Sequence, residues 1–357
     1  MALPELAEAK WGWVARRLTP LRGDLRLGPA AAAAGLGQFA VASVVRVGEH
    51  NCLEDPHGRR LQLYPDDLVV GAFGNRYATD FYEGYLPTEQ DKLHLLTSGG
   101  LLGTVASGHR SRANPTELRL VGQLVDGSGR ALRTDDVAIR PIESAPPALG
   151  TIVVLGTSMN SGKTTTTAAI VHGLTRAGAT VGAGKVTGSA SGKDHWSYLD
   201  AGAVSVLDFV DAGMPSTFGY PVDRLAEAMG TIRAGLVNDG ATAVVLEIAD
   251  GVLQRETYSL AARLPGFADT VVLTVGDALG AIAGVRLLAE LGVTVRAISG
   301  LVTASPLATR EAEAATGLPV LSPSKLINGA AENLVREAPT ATCFTPVSTS
   351  QPERSPI

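Results

Sequence analysis

The chain is poor in several residue types, and each shortage excludes a class. Two cysteines in 357 residues, Cys52 and Cys343, stand far apart without CxxC or Cys/His spacing, which argues against a disulfide framework and a zinc site and implies reduced thiols. Basic residues do not exceed acidic ones: thirty Lys and Arg against thirty-five Asp and Glu give a formal charge of -5. That balance disfavours a nucleic-acid binder. No apolar run reaches about 18 residues, since the longest candidate, Thr270 to Val285, contains Asp277, so no membrane span is expected. The first residues lack the uninterrupted apolar core of a signal peptide, and a cytoplasmic location is the expectation. Lysine itself is scarce, at positions 10, 92, 163, 185, 193 and 325, and three of the six fall between 163 and 193. In a chain that otherwise carries positive charge on arginine, this spacing points to a chemical need for a compact ammonium there.

What is present is an ordinary globular composition, 45% apolar and 18% charged, long enough for two domains. Prolines at 141, 146 and 147 mark a linker from Pro141 to Gly150. The expected division is a β-rich, barrel-like N-terminal domain over 1–147, an α/β domain over 148–336, and a disordered tail over 337–357 rich in Pro, Ser and Thr. Upstream of the linker, β-forming stretches (Phe39 to Val47, Arg60 to Tyr64, Leu68 to Phe73, Leu101 to Ser107, Leu118 to Val125) alternate with turn signals. Downstream, apolar strand-like runs at Thr151 to Leu155, Thr180 to Ala183, Ala243 to Ile248, Thr270 to Val275 and Val295 to Val302 are separated by helical patterns closed by Gly178, Gly292 and Gly317. Strands without polar alternation, spaced by helices, predict a mostly parallel sheet covered on both faces.

Directly after the strand TIVVL comes GTSMNSGKTTTT, Gly156 to Thr167, and then a helical pattern. In such a loop backbone N–H groups and a helix N-terminus surround phosphate oxygens, a lysine neutralises β/γ charge and the following hydroxyl ligates Mg²⁺. That makes the α/β half a P-loop NTPase by expectation, with Gly156, Thr157, Asn160, Ser161, Gly162, Lys163, Thr164 and Thr165 around the nucleotide phosphates and Thr164 on Mg²⁺. Five residues, Thr157 to Ser161, separate the first glycine from Gly-Lys, one more than in the common form.

The longer loop, opening Gly-Thr and ending Gly-Lys-Thr, resembles that of dethiobiotin synthetase and the cobyrinic acid a,c-diamide synthases. VGAGKVTGSASG, Val181 to Gly192, is similar to the segment that carries a catalytic lysine in that family, which places Lys185 in that role beside Lys163. VVLEIADG, Val244 to Gly251, is similar to the strand whose glutamate helps hold Mg²⁺, which falls on Glu247, and the resemblance implies a further metal carboxylate at Asp194 or Asp200, with a helix N-cap as the other reading of Asp194. Ile248 and Asp250 replace glycines of the family pattern, and Ala304 stands where an adenine-binding asparagine is common. DFVDAGMPSTF, Asp208 to Phe218, also resembles a dethiobiotin-synthetase-like family of unknown function.

The resemblance implies an ATP- and Mg²⁺-dependent enzyme, ligase-like or a small-molecule kinase, that activates a carboxylate or carbamate of a small metabolite, working as a homodimer without nucleic acid or membrane. The alternative is a nucleotide-dependent switch or metallochaperone acting on a protein partner. His195, Asp211 and the Pro215-Ser216-Thr217 turn are further candidates for the substrate side, each with a structural reading of equal or greater weight. GNRYATDFYEG, Gly74 to Gly84, reads as a lid, a dimer contact or a solvated barrel loop.

Overall fold

The computed structural model describes residues 6–30, 33–88, 93–142 and 150–336. Most of the linker and the whole tail, including Cys343, lie outside them. Two sheets organise the chain. In the C-terminal one, six parallel strands run in the order Ser205–Asp208, Val181–Lys185, Ala243–Glu247, Gly150–Gly156, Thr270–Thr274, Val295–Ser299. Alternate side chains of the strand Gly150–Gly156 leave opposite faces, and each face is covered: Val153 and Leu155 enter one apolar cluster with helices Val222–Asn238 and Ala278–Glu290, while Ile152 and Val154 enter another with helix Lys163–Arg176. Together with the phosphate loop between its strand and helix, this is a P-loop NTPase fold.

The N-terminal sheet is a barrel. Strand Leu68–Phe73 pairs with Phe39–Arg46, which pairs with Thr116–Val125, then Leu93–Leu95, then Leu101–Gly108; the last also pairs with Leu68–Phe73, closing the ring. Closure removes the exposed strand edges that an open sheet of this size would present. Val44, Leu53, Phe73, Leu95 and Leu102 fill the interior. Strand Tyr82–Tyr85, which begins within the turn-rich Gly74 to Gly84 stretch, pairs with Leu101–Gly108 through a bulge, a pairing that local patterning did not reveal.

The first apolar cluster continues across the junction, joining Trp11, Val14, Leu18 and Phe39 to Val186, Ala190, Phe209 and Met214. Polar contacts fix the same junction. Arg16 reaches Asp208 and Asp211 at 2.7 Å each, Glu54 accepts the Gly192 N–H at 2.8 Å, and Thr97 Oγ1 donates to the Ala190 carbonyl at 2.9 Å. Ala190 to Gly192 follow the strand that carries Lys185, so the barrel helps to set the loop beside that lysine.

Candidate functional site

Register brings the chemistry to one edge. Lys185 pairs with Glu247 across neighbouring strands, and Glu247 lies beside Val154 on the strand that feeds the phosphate loop. All three strand ends open on the carboxyl edge of the sheet, where α/β folds bind ligands.

The loop is held from below. Gly162, the N-cap of helix Lys163–Arg176, has φ +100°, and a Cβ there would come within 3.0 Å of the Gly300 Cα. Gly300, at φ +92°, is more constrained, since its Cβ would lie 2.1 Å from the Ser161 carbonyl oxygen. Ser161 is fully buried and its hydroxyl meets that of Thr274 at 2.7 Å, so this side chain supports the loop. The Thr157 N–H likewise donates to the Thr274 carbonyl at 3.0 Å. Gly300 and Thr274 were missed by the reading of the sequence, because only the parallel neighbours place them under the loop. Gly156 ends its strand, Thr165 is exposed on the first helical turn, and exposed Asn160 donates through Nδ2 to Asp80 Oδ2 of the barrel at 2.8 Å.

Lys163 is 4% exposed, and its Nζ donates to the Ser158 and Met159 carbonyls at 2.8 and 3.0 Å. Burial pulls its pKa down, opposed by Glu247 and Asp250. Lys185 sits between two carboxylates, hydrogen-bonded to Asp194 and 3.6 Å from Glu247 Oε1. Burial lowers its pKa, but Asp194 and Glu247 prevail and hold it above the ordinary lysine value. Asp194 is pushed up by burial and pulled down further by Lys185 and by the Thr164 hydroxyl that hydrogen-bonds to it, so it stays ionised. Glu247, 1% exposed, also accepts the hydroxyl proton of Tyr198.

Mg²⁺ takes oxygen ligands from a hydroxyl, a carboxylate or two, phosphates and water. Thr164 and Asp194, already in contact, match that donor set, and Glu247 stands one residue away across Lys185. When bound, the ion would supply charge neutralisation between phosphates. Exposed Asp200, at the far end of helix Lys193–Asp200, does not line the cavity around these groups.

Asp250 joins the same cavity. It adopts φ +64°, a left-handed conformation that aspartate tolerates better than most residues. Burial pushes its carboxyl up to about 6, against the pull of Lys163 and Lys185. An unfolded aspartate titrates near 3.9, so between about pH 4 and 6 the folded chain holds the extra proton. Stability of the metal- and nucleotide-free protein therefore falls as pH rises through that window, by a few kcal/mol at most. Asp250→Asn keeps the tolerated backbone and removes the titration. Urea unfolding between pH 4 and 7 should show a flatter profile and a more stable variant at pH 7; superimposable curves would refute the shift.

Other candidates fall elsewhere. His195 packs against Trp13 and Trp196, with ring centroids at 5.0 and 5.4 Å, and does not line the cavity. Asp211 is engaged by Arg16 and Arg17 and accepts the Asp208 N–H. Thr217 is hydrogen-bonded to Gly188, and Asp277 caps helix Ala278–Glu290. The stretch from Gly74 to Gly84 instead forms a wall of the cavity, which measures about 340 Å³ and is lined by His50, Arg76, Tyr77 and Phe81 on the barrel side and by Met159, Lys163, Lys185, Asp194, Glu247 and Asp250 on the sheet side.

No protein-family model matches the chain, and no curated protein matches it. Among solved structures, the chain is similar to the signal recognition particle 54 kDa protein of Aeropyrum pernix K1 in complex with GDP, at 18% identity and a TM-score of 0.38, over 57% of this chain and 52% of that one. It is also similar to the signal recognition particle receptor FtsY of Elizabethkingia anophelis, at 13% identity and a TM-score of 0.34, over 56% of this chain and 74% of that one. The chain thus spans about half the length of the first of these. Membership of the dethiobiotin synthetase family finds no support beyond the P-loop fold itself.

The expectation of an ATP-dependent ligase or small-molecule kinase is corrected: the solved structures found similar are a signal recognition particle protein and a signal recognition particle receptor. The site supplies a physical reason. Lys185, which that chemistry needs free to face an acceptor carboxylate, is already flanked by Asp194 and Glu247, and Asp250 adds a third acid to the same floor. Among the described residues no helix is long and apolar enough to cross a membrane.

Proposed function

We propose that this protein is a Mg²⁺-dependent nucleoside triphosphatase that works as a nucleotide-dependent switch, with the barrel as the element that reads the nucleotide state. One observation carries this reading: Asp80 of the barrel accepts a hydrogen bond from Asn160 at the tip of the phosphate loop. A loop that closes its amides around phosphates must adjust this tip, so bound nucleotide and the Gly74 to Gly84 wall are mechanically linked. Lys163 and the Thr164–Asp194 contact supply the phosphate and metal side. Lys185 and Glu247 hold Asp194 in place and carry the charge balance of the floor.

The test titrates ATP and GTP, each with Mg²⁺, by calorimetry, follows phosphate release, and measures hydrogen exchange across residues 74–84. The expected result is micromolar or tighter binding of one nucleotide, slow hydrolysis, and exchange over 74–84 that differs between triphosphate- and diphosphate-bound protein. Absence of binding by either nucleotide would remove the reading. Binding with identical exchange in both states would leave a nucleotidase and remove the switch.

A further inference from the structure

The barrel wall of the cavity holds a cation that no carboxylate among the described residues pairs with directly. Arg76 is 7% exposed. Among the described residues its hydrogen bonds both leave from Nη1, one to His50 Nε2 at 3.0 Å and one to the Leu96 carbonyl. Nε is buried and has no partner. Asp80, the carboxylate with the largest electrostatic influence on Arg76, spends Oδ2 on Asn160 and leaves Oδ1 buried and unpartnered, so no ion pair with Arg76 forms among the described residues.

The surroundings clamp this guanidinium. Arginine only donates, so His50 Nε2 accepts and the ring proton sits on Nδ1, which faces Ser98 Oγ at 3.3 Å. Burial and Arg76 push His50 down to about 4, so it stays neutral and adds no charge near neutral pH. Phe81 stacks on His50 at 5.1 Å and lies 4.7 Å from the guanidinium carbon. With Nη1 tied down, the remaining Nε–Nη2 edge has the fork geometry that meets two oxygens of one anion. A buried guanidinium nitrogen without a partner among the described residues, at the edge of a cavity, calls for a ligand.

We propose that the Nε–Nη2 edge of Arg76 is an oxyanion site, which receives two oxygens of a phosphate or carboxylate presented from the phosphate-loop side of the cavity. The proposal rests on the nucleotide-binding reading for its preferred source, the terminal phosphate of a bound triphosphate. Placement favours that source: Arg76 lines the same cavity of about 340 Å³ as Lys163 and Thr164 of the phosphate loop. The Asp80–Asn160 contact, four residues beyond Arg76, keeps the wall against the loop. A carboxylate of a separate small molecule shares the same chemistry and is the second source.

The experiment compares wild type with Arg76→Met, which fills the same space without charge, and Arg76→Lys, which keeps charge without the fork. Circular dichroism establishes folding, and loss of an unpaired buried cation should leave Arg76→Met at least as heat-stable as wild type. One arm measures affinity for a non-hydrolysable triphosphate and for the diphosphate. If the terminal phosphate is the ligand, Arg76→Met loses about tenfold or more in triphosphate affinity with the diphosphate nearly unchanged, and Arg76→Lys recovers little. The other arm holds diphosphate saturating and titrates succinate and glutarate by thermal shift; saturable stabilisation in wild type that vanishes in Arg76→Met identifies the carboxylate source. Folded Arg76→Met that matches wild type in both arms overturns the site. If wild type binds no nucleotide, the functional proposal fails separately, and pyrophosphate and the dicarboxylates, titrated alone, still decide the role of Arg76.

Discussion

Lys163→Ala is expected to weaken nucleotide binding and to abolish turnover, both together, while leaving the fold intact. The ammonium is buried at the mouth of the loop, where its hydrogen bonds among the described residues go to two carbonyls, those of Ser158 and Met159. Entering phosphates offer it charged acceptors instead, and hydrogen bonds to charged groups contribute about 1.5 to 3 kcal/mol each. Ground state and transition state both use them, so affinity should drop by about 10² and hydrolysis should become undetectable. Stability should not suffer in the same way, because burial already works against this charge. Calorimetry with Mg²⁺-nucleotide beside thermal unfolding checks both halves. A variant that still binds with wild-type affinity would take Lys163 out of the phosphate site.

The second large effect should come from Lys185→Ala, and here stability is the first casualty. Lys185 stands between Asp194 and Glu247, and Glu247 is almost completely buried. Without the ammonium, two acids share a low-dielectric floor and lose their paired charge, with only Lys163 and Lys193 left near them among the described residues, a change that typically costs about 3 to 5 kcal/mol. A divalent cation can replace the missing charge, so Mg²⁺ should recover much of the lost stability in the variant and little in wild type. Turnover should remain well below wild type even with Mg²⁺, because Asp194 loses the ammonium that holds it beside Thr164. Lys185→Arg should rescue poorly, since a planar fork does not fit a slot shaped for a compact ammonium. The measurement is urea unfolding with and without Mg²⁺, followed by hydrolysis rates. Wild-type stability without metal, or wild-type turnover, would make Lys185 a bystander at a strand end.

These two lysines were legible before any coordinates because their chemistry is local. The phosphate loop needs a strand, a short glycine-rich turn and a helix N-terminus in unbroken succession, and Gly150 to Arg176 contains all three. The parallel sheet was legible for a similar reason: strands covered on both faces show uninterrupted apolar runs such as Val153 to Leu155 and Val244 to Leu246. Short or polar elements escaped. The edge strand Ser205–Asp208 has one covered side and four residues, and the strand expected to run to Val302 ends at Ser299, where Gly300 turns the chain under the loop.

Tertiary structure alone decided the charge balance and the second wall. Lys185, Asp194 and Glu247 were each named from sequence, but only pairing of the strands places the lysine between the two acids and turns a lysine expected to face an acceptor into one that is already paired. Asp250 looked like a missing glycine, and burial beside Lys163 and Lys185 makes it a third acid of the floor. Arg76 and His50 lie 26 residues apart in one half of the chain and about eighty or more from the phosphate loop in the other, and closure of the barrel brings them together opposite that loop. Spacing along a chain records contacts within one strand, turn or helix. Which strand ends and walls share a cavity depends on pairings between segments far apart in sequence, and those follow from burial of the whole apolar surface rather than from any local pattern.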